Sequence, residues 1–199
     1  MRAKNLLSGV LLAGGAYLLF LGARDLFDSR IGQQQAAREF EQPVPDTPET
    51  RPATQSVSQH TINRGDTVAK LKIPRLDAEL YVVEGDGYRE LRRGPGHLAG
   101  TAMPGESGNC VIAGHRDTHF RVLKDIREGD DIILQTSAGQ FLYRVKRTRI
   151  VSPENTSALA PTKTAELNLI TCYPFYYLGS APKRFIVEAQ LAGSVQRPS

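Results

Sequence analysis

Cys172 closes the apolar run Leu167-Asn168-Leu169-Ile170-Thr171 and is followed by Tyr173-Pro174. A thiol held at the end of a rigid element, with its side chain free to face a cleft, is placed as a nucleophile must be. The same residue type also serves as a small buried apolar side chain. His115 closes a second run, Cys110-Val111-Ile112-Ala113-Gly114, where Gly114 would let the backbone turn just before the imidazole. Arg184 opens a third, Phe185-Ile186-Val187, 12 positions after the cysteine. Facing the same cleft as Cys172, Arg184 could stabilise a thiolate or a developing oxyanion. A free thiol, with a pKa near 8.5, is only about 3% ionised at pH 7. An imidazolium and a guanidinium beside it raise the reactive fraction, and the guanidinium also stabilises a developing oxyanion. On position alone, each of the three also has an ordinary reading, as core thiol, structural histidine and solvated charge.

The remaining histidines and the second cysteine read differently. His119 lies four positions after His115, a spacing that holds zinc when it falls on a helix. Here the central Glu of that motif is missing, a third ligand is not apparent and the segment follows a strand, so no metal site is expected. His97 sits in the turn signal Gly94-Pro95-Gly96-His97 and His60 in a polar stretch; both read as structural or solvated. Cys110 begins the run that leads to His115 and reads as a buried structural thiol. A Cys110–Cys172 disulfide, the alternative in an oxidising compartment, would consume the nucleophile.

Positioning such residues requires a folded scaffold, and the 199-residue chain has room for one domain plus a tail or linker. Hydrophobic residues are 40% and charged residues 23%, which excludes a wholly disordered chain and a multi-span membrane protein. A net charge of +4, spread along the chain, supplies no concentrated basic face for nucleic acid. Two cysteines exclude a disulfide-dense scaffold. Short apolar runs, Val68–Ile73, Leu80–Val83, Cys110–Ala113, Ile132–Leu134, Phe141–Val145, Leu167–Thr171 and Phe185–Leu191, alternate with glycine-marked turns. That spacing predicts an all-β sandwich or barrel over 68–192, with a short helix after Ser152-Pro153-Glu154 and a C-terminal tail at 193–199.

Ahead of this domain, Leu6–Ala23 is an uncharged run of 18 residues, roughly 27 Å as a helix and close to the ~30 Å core of a bilayer. Arg2 and Lys4 precede it and favour a cytoplasmic N-terminus, with the body of the protein outside the cytoplasm. The expectation is an N-terminal stub and transmembrane signal-anchor over 1–23. A cleaved signal peptide is the alternative, although Leu21-Gly22-Ala23 places a bulky Leu at the first small position. Residues 24–67 read as a juxtamembrane segment that could extend the helix, then a proline-broken tether from Glu41 to Asp66.

Three segments, Ala113-Gly114-His115-Arg116-Asp117-Thr118, Leu169-Ile170-Thr171-Cys172-Tyr173-Pro174-Phe175 and Ala181-Pro182-Lys183-Arg184-Phe185, resemble motifs of the sortases, in the same order, and most resemble class D. The Gly94-Pro95-Gly96-His97 run, with Gly100-Thr101-Ala102 and Pro104-Gly105 after it, is similar to the family's loop before the histidine strand. Asn168 departs from the Thr that many members carry there. The resemblance implies a closed, mostly antiparallel barrel of about eight strands, with Cys172 as nucleophile, His115 as general acid/base and Arg184 as oxyanion or substrate stabiliser. It implies cleavage of a C-terminal Leu-Pro-x-Thr-Gly-like sorting signal on secreted proteins. Transfer would be to an amine, either a peptidoglycan precursor or a pilin-type lysine. No cofactor is implied, and calcium modulation is not legible in the residues. Thr171, Tyr173 and Phe175 are candidate substrate contacts; Phe175, Tyr176 and Tyr177 either line the groove or cover the barrel end. A hydrolase using water as acceptor, a non-catalytic exported β-barrel and a Cys/His metal-binding protein are the competing readings.

Overall fold

The computed structural model describes residues 2–41, 62–177 and 179–196. Helix α1 (Arg2–Glu41) comes first. Eight strands follow: β1 (Thr67–Ile73), β2 (Ala78–Glu84), β3 (Gly96–His97), β4 (Asn109–Gly114), β5 (Asp131–Gln135), β6 (Gly139–Val151), β7 (Glu166–Tyr173) and β8 (Lys183–Gln196). A short helix, α2 (Tyr88–Arg93), sits between β2 and β3. The strands close into one barrel in the order β1-β2-β3-β4-β7-β8-β6-β5. Six of the eight pairings are antiparallel; β2–β3 and β4–β7 are parallel, so the barrel is mixed.

Alternation of side chains builds the interior. Along β7 the odd positions Leu167 and Leu169 point inward and along β8 Phe185, Val187 and Ala189 do, meeting Leu71, Ile112, Ile132, Leu134 and Tyr143 in one cluster. Burying each large side chain is worth about 1.5–3 kcal/mol. Tyr143 is fully buried, yet its hydroxyl accepts the Gly105 N–H at 2.7 Å, so the interior leaves this polar atom paired.

β3 is only two residues long and pairs β2 only at Val83 and Glu84. The backbone of Tyr81 would be left open on β2. The Gln33 side chain of α1 supplies the missing partner: Tyr81 N–H donates to Gln33 Oε1 at 2.7 Å, and Gln33 Nε2 donates to Tyr81 O at 2.9 Å and to Arg93 O at 2.8 Å. Ala36 is buried against Tyr81 and Val83, and Phe40 meets the Tyr81 ring edge-on. Glu39 pairs with Arg93 at 2.8 Å, and Asp28 pairs with Arg92. The part of α1 that the sequence offered as a juxtamembrane extension is therefore docked on the barrel. Of the expected tether, residues 42–61 lie outside the described residues.

Three further expectations are corrected. The helix expected after Ser152 is a turn, closed by Asn155 N–H to Ser152 O, and a single 3-10 turn follows at Ser157–Leu159. β8 runs on to Gln196, paired with Gly139, so residues 193–196 belong to the barrel and not to a tail. Gly114 is not a sharp turn; it is a strand residue opposite Thr171. Its lack of a side chain matters because a Cβ there would stand 2.6 Å from the Phe120 ring. Among the described residues no helix is long and apolar enough to cross a membrane. Within Leu6–Ala23 the described side chains are those of Leu11–Phe20.

Candidate active site

Because Leu167 and Leu169 face inward on β7, Ile170 and Cys172 face outward. Cys172 is the antiparallel register partner of Arg184 on β8, which puts both side chains on one outer face. On the other side of β7, Ala113 pairs with Ile170 and Gly114 with Thr171 in parallel register. One more step brings His115, the first residue past β4, alongside Cys172. Neighbouring strands lie about 4.8 Å apart, so the three backbones form a short row across β4, β7 and β8. Thr171 fixes that spacing: its hydroxyl, buried, donates to Gly114 O at 2.7 Å.

Below the row lies a groove of about 220 Å³. Its floor is Val111, Ala113, Ile170 and Ile186; Ala158 and Leu159 wall one side, and Arg184 closes the reactive end. The wall is tied down from beneath. Asn109 Nδ2 donates to Ala158 O at 2.8 Å and to Ala160 O at 2.9 Å, while its Oδ1 accepts from Asn168 Nδ2 at 2.7 Å. The departure at Asn168 thus has a structural use, as the anchor of the residue that holds the wall.

The two cysteines have opposite environments. Cys110 is wholly buried, and desolvation, with smaller contributions from Glu106 and Glu84, pushes its thiol up to about 12. Cys172 is partly exposed, and both thiols are free. Among the described residues no hydrogen bond joins Cys172 to His115. The imidazole lines a separate cleft with Ser29 of α1, Tyr88 and Arg92 of α2, Asp117 and Thr118. Arg184 Nη1 donates to its own loop, at Lys183 O (3.1 Å) and Ala181 O (3.4 Å).

Thr171, Tyr173 and Phe175 do not share the outer face. Thr171 turns inward to Gly114, and Tyr173 stacks on Phe185, with Phe175 edge-on to both rings. The cause is strand parity: with Cys172 outward, its neighbours point in. Tyr176 and Tyr177 stay exposed. His119 is buried with Nε2 3.2 Å from Ser29 Oγ. His97 is buried, bonded to Glu84 through Nδ1 at 2.7 Å.

Three contributors to the site were not legible as such in the sequence. Gln33 and Asn109 act through backbone groups of distant segments. Arg116, next to the histidine, donates through Nη2 to Tyr177 O (2.8 Å) and Gly179 O (3.0 Å) and lies 5.8 Å over the Tyr177 ring. It clamps the loop that leaves β7, after the cis Tyr173–Pro174 bond, to the turn that carries His115. The only sequence signal was its place within the histidine motif.

The closed eight-stranded barrel carries a strand-end thiol that faces outward as the register partner of an arginine. The sortase domain family model matches residues 71–192, and the chain belongs to the sortase family, the cysteine transpeptidases. It is 33% identical over 192 residues to Sortase D of Bacillus subtilis, covering 92% of this chain and 96% of that relative. Among solved structures it is similar to the Clostridium perfringens Sortase D5 transpeptidase, at TM-score 0.65 and 25% identity over 83% of this chain and 99% of that one. The catalytic domain of Bacillus anthracis SrtD matches at TM-score 0.60 and 30% identity, over 75% of this chain and 100% of that one.

Proposed function

We propose that Cys172 is the nucleophile of this transpeptidase, with His115 as general acid/base and Arg184 as the oxyanion or substrate-backbone stabiliser. The observation that carries the reading is the contrast between the two thiols: Cys172 faces outward as the register partner of Arg184, whereas Cys110 is wholly buried. The thiolate attacks the scissile carbonyl; a C–S bond forms and the C–N bond breaks as His115 protonates the departing amine. The incoming amine then gives a proton to His115, attacks the thioester and releases the thiol. A peptide bound across the ends of β4 and β7 would have to draw the His115 imidazole toward the Cys172 thiol for this exchange. Arg184, freed from its own loop carbonyls, would donate to the oxyanion; such a donor is worth roughly 3–4 kcal/mol, a rate factor of about 10²–10³.

The substrate is a C-terminal Leu-Pro-x-Thr-Gly-like sorting signal on a secreted protein. The groove floor of Val111, Ala113, Ile170 and Ile186 suits a short apolar stretch leading to the scissile bond. The acceptor is an amine, a peptidoglycan precursor or a protein lysine. The enzyme is held in the cell membrane through residues 6–23, N-terminus cytoplasmic and barrel outside. Every described side chain from Leu11 to Phe20 is exposed and uncovered by the rest of the chain, as a lipid-facing helix requires. Incubation with a signal peptide, with and without an added amine, tests the reaction. A transfer product that grows with amine supports it, whereas hydrolysis indifferent to amine supports the water-acceptor reading.

A further inference from the structure

α1 is one continuous helix, and at 1.5 Å per residue its 40 residues reach about 60 Å. Its docked part begins with Asp28 on Arg92 and Ser29 at His119, and runs through Gln33 and Ala36 to Glu41, which bonds the Tyr81 hydroxyl at 2.8 Å. Gly32 fits here because a Cβ would stand 2.6 Å from the Arg93 backbone. From the end of the apolar run at Ala23 to Asp28 the helix rises only about 7.5 Å. A barrel joined to a membrane span by so short a rigid shaft cannot swing freely.

The shaft enters beside the catalytic pole. Ser29 shares a cleft with His115, Asp117 and Thr118. Around that entry exposed aromatic side chains stand among arginines, with Asp28, paired to Arg92, and Asp117 also lining the hollows. Phe27 and Ile31 are exposed one turn apart on α1, and Tyr88 is 71% exposed on α2 beside the exposed Arg89. Ile31, Tyr88 and Arg89 line one shallow hollow with Gly32. Aromatic rings with arginines next to an apolar helix are the composition of a headgroup layer contact, the rings at the interface and the guanidinium on anionic lipid.

We propose that the face formed by Phe27, Ile31, Tyr88 and Arg89 seats on an anionic lipid surface, so that docked α1 holds the barrel with its Cys172–His115 pole against the bilayer. This rests on the membrane reading given above and adds to it a fixed orientation. The lipid surface is the occupant because the face continues directly from the apolar run on the same helix and presents Arg89 beside its exposed rings. The site then meets its substrates at the membrane, not at the end of a long tether.

The chain contains no tryptophan, so a single one reports its own surroundings. The full chain carrying Tyr88→Trp, and separately Phe27→Trp, is reconstituted into phosphatidylglycerol–phosphatidylcholine vesicles with and without brominated acyl chains. Ala138→Trp, exposed in the β5–β6 hairpin at the opposite end of the barrel, is the reference. Both face reporters are expected to lose emission to the bromines while Ala138→Trp does not. Adding Gln33→Ala, which removes the three shaft bonds, is expected to reduce quenching of Tyr88→Trp while flotation with the vesicles is unchanged. If the chain floats but the Tyr88→Trp and Phe27→Trp reporters behave like Ala138→Trp, the seat is wrong and the membrane anchor stands. A blue-shifted but unquenched reporter, as burial against a second copy would give, also overturns it. A chain that does not float overturns the anchor itself, and the seat with it.

Discussion

Cys172 and Arg184 are register partners on β7 and β8, and the parity that points Cys172 outward turns Thr171 and Tyr173 toward the barrel interior. One residue pair thereby sets which side of the strand faces substrate and which faces the core. An Arg184→Ala variant keeps the β7–β8 ladder, which is made of backbone bonds. Its expected effect is a loss of about 10²–10³ in the acylation rate with little change in thermal unfolding. Stopped-time mass spectrometry against a melting curve separates the two.

The cysteines should differ in reactivity as sharply as in burial. With its thiol pushed up to about 12, Cys110 stays protonated and enclosed in the native protein. Iodoacetamide is expected to add once to the folded chain, at Cys172, and a second time only after unfolding. Cys110→Ser should retain most transfer activity and Cys172→Ala none. The reverse pattern would overturn the assignment.

Arg116 is a positioning residue. Its two donated bonds and its contact with the Tyr177 ring tie the histidine turn to the loop after the cysteine. Arg116→Ala is expected to lower kcat roughly tenfold, with a smaller change in KM, as expected when geometry around the reacting groups loosens. Lysine cannot span both carbonyls, so Arg116→Lys should restore only part. An unchanged kcat with raised KM would instead place Arg116 in peptide binding.

The groove wall hangs on Asn109. Asn109→Ala removes two bonds to the 157–160 turn and leaves Asn168 without its acceptor. At about 0.5–1.5 kcal/mol per bond, the three bonds put roughly 1.5–4.5 kcal/mol at stake. The expected reading is a raised KM for signal peptides, with iodoacetamide labelling of Cys172 as fast as before.

His119 makes docking of α1 sensitive to acid. Burial is the main cause holding its pKa below the ordinary 6.5; His115 adds to this, and Arg92 backbone and Asp117 oppose it. The undocked or unfolded chain therefore binds the proton first. Stability is full above about pH 6.5 and falls as pH drops from there toward the folded value, because protons favour the open form. Arg30, Arg121 and Asp117 line the hollow around His119. Wild type should lose more thermal stability between about pH 7.5 and about pH 5.5 than His119→Gln does. Equal losses would assign the pH response elsewhere.

Seven of the eight strands were legible because their inward side chains form apolar runs; Phe141, Tyr143 and Val145 on β6 are the clearest case. β3 was not, since Gly96 and His97 pair only because β2 and β4 bracket them. The strand-end placement of Cys172, His115 and Arg184 could be read from where each run stops or starts. Which neighbours share their face could not, because that depends on strand parity fixed by the core. Gln33 and Asn109 carry no periodic signal at all: each is a polar side chain whose purpose is a backbone group on another segment.

Intact-mass measurement of the protein mixed with a Leu-Pro-x-Thr-Gly-type peptide, in the absence of added amine, tests the nucleophile directly. The account predicts a transient adduct equal to the peptide's N-terminal fragment. It should map to Cys172, clear with hydroxylamine and be missing in Cys172→Ala. An adduct on any other residue, or turnover of the peptide by Cys172→Ala, would contradict it.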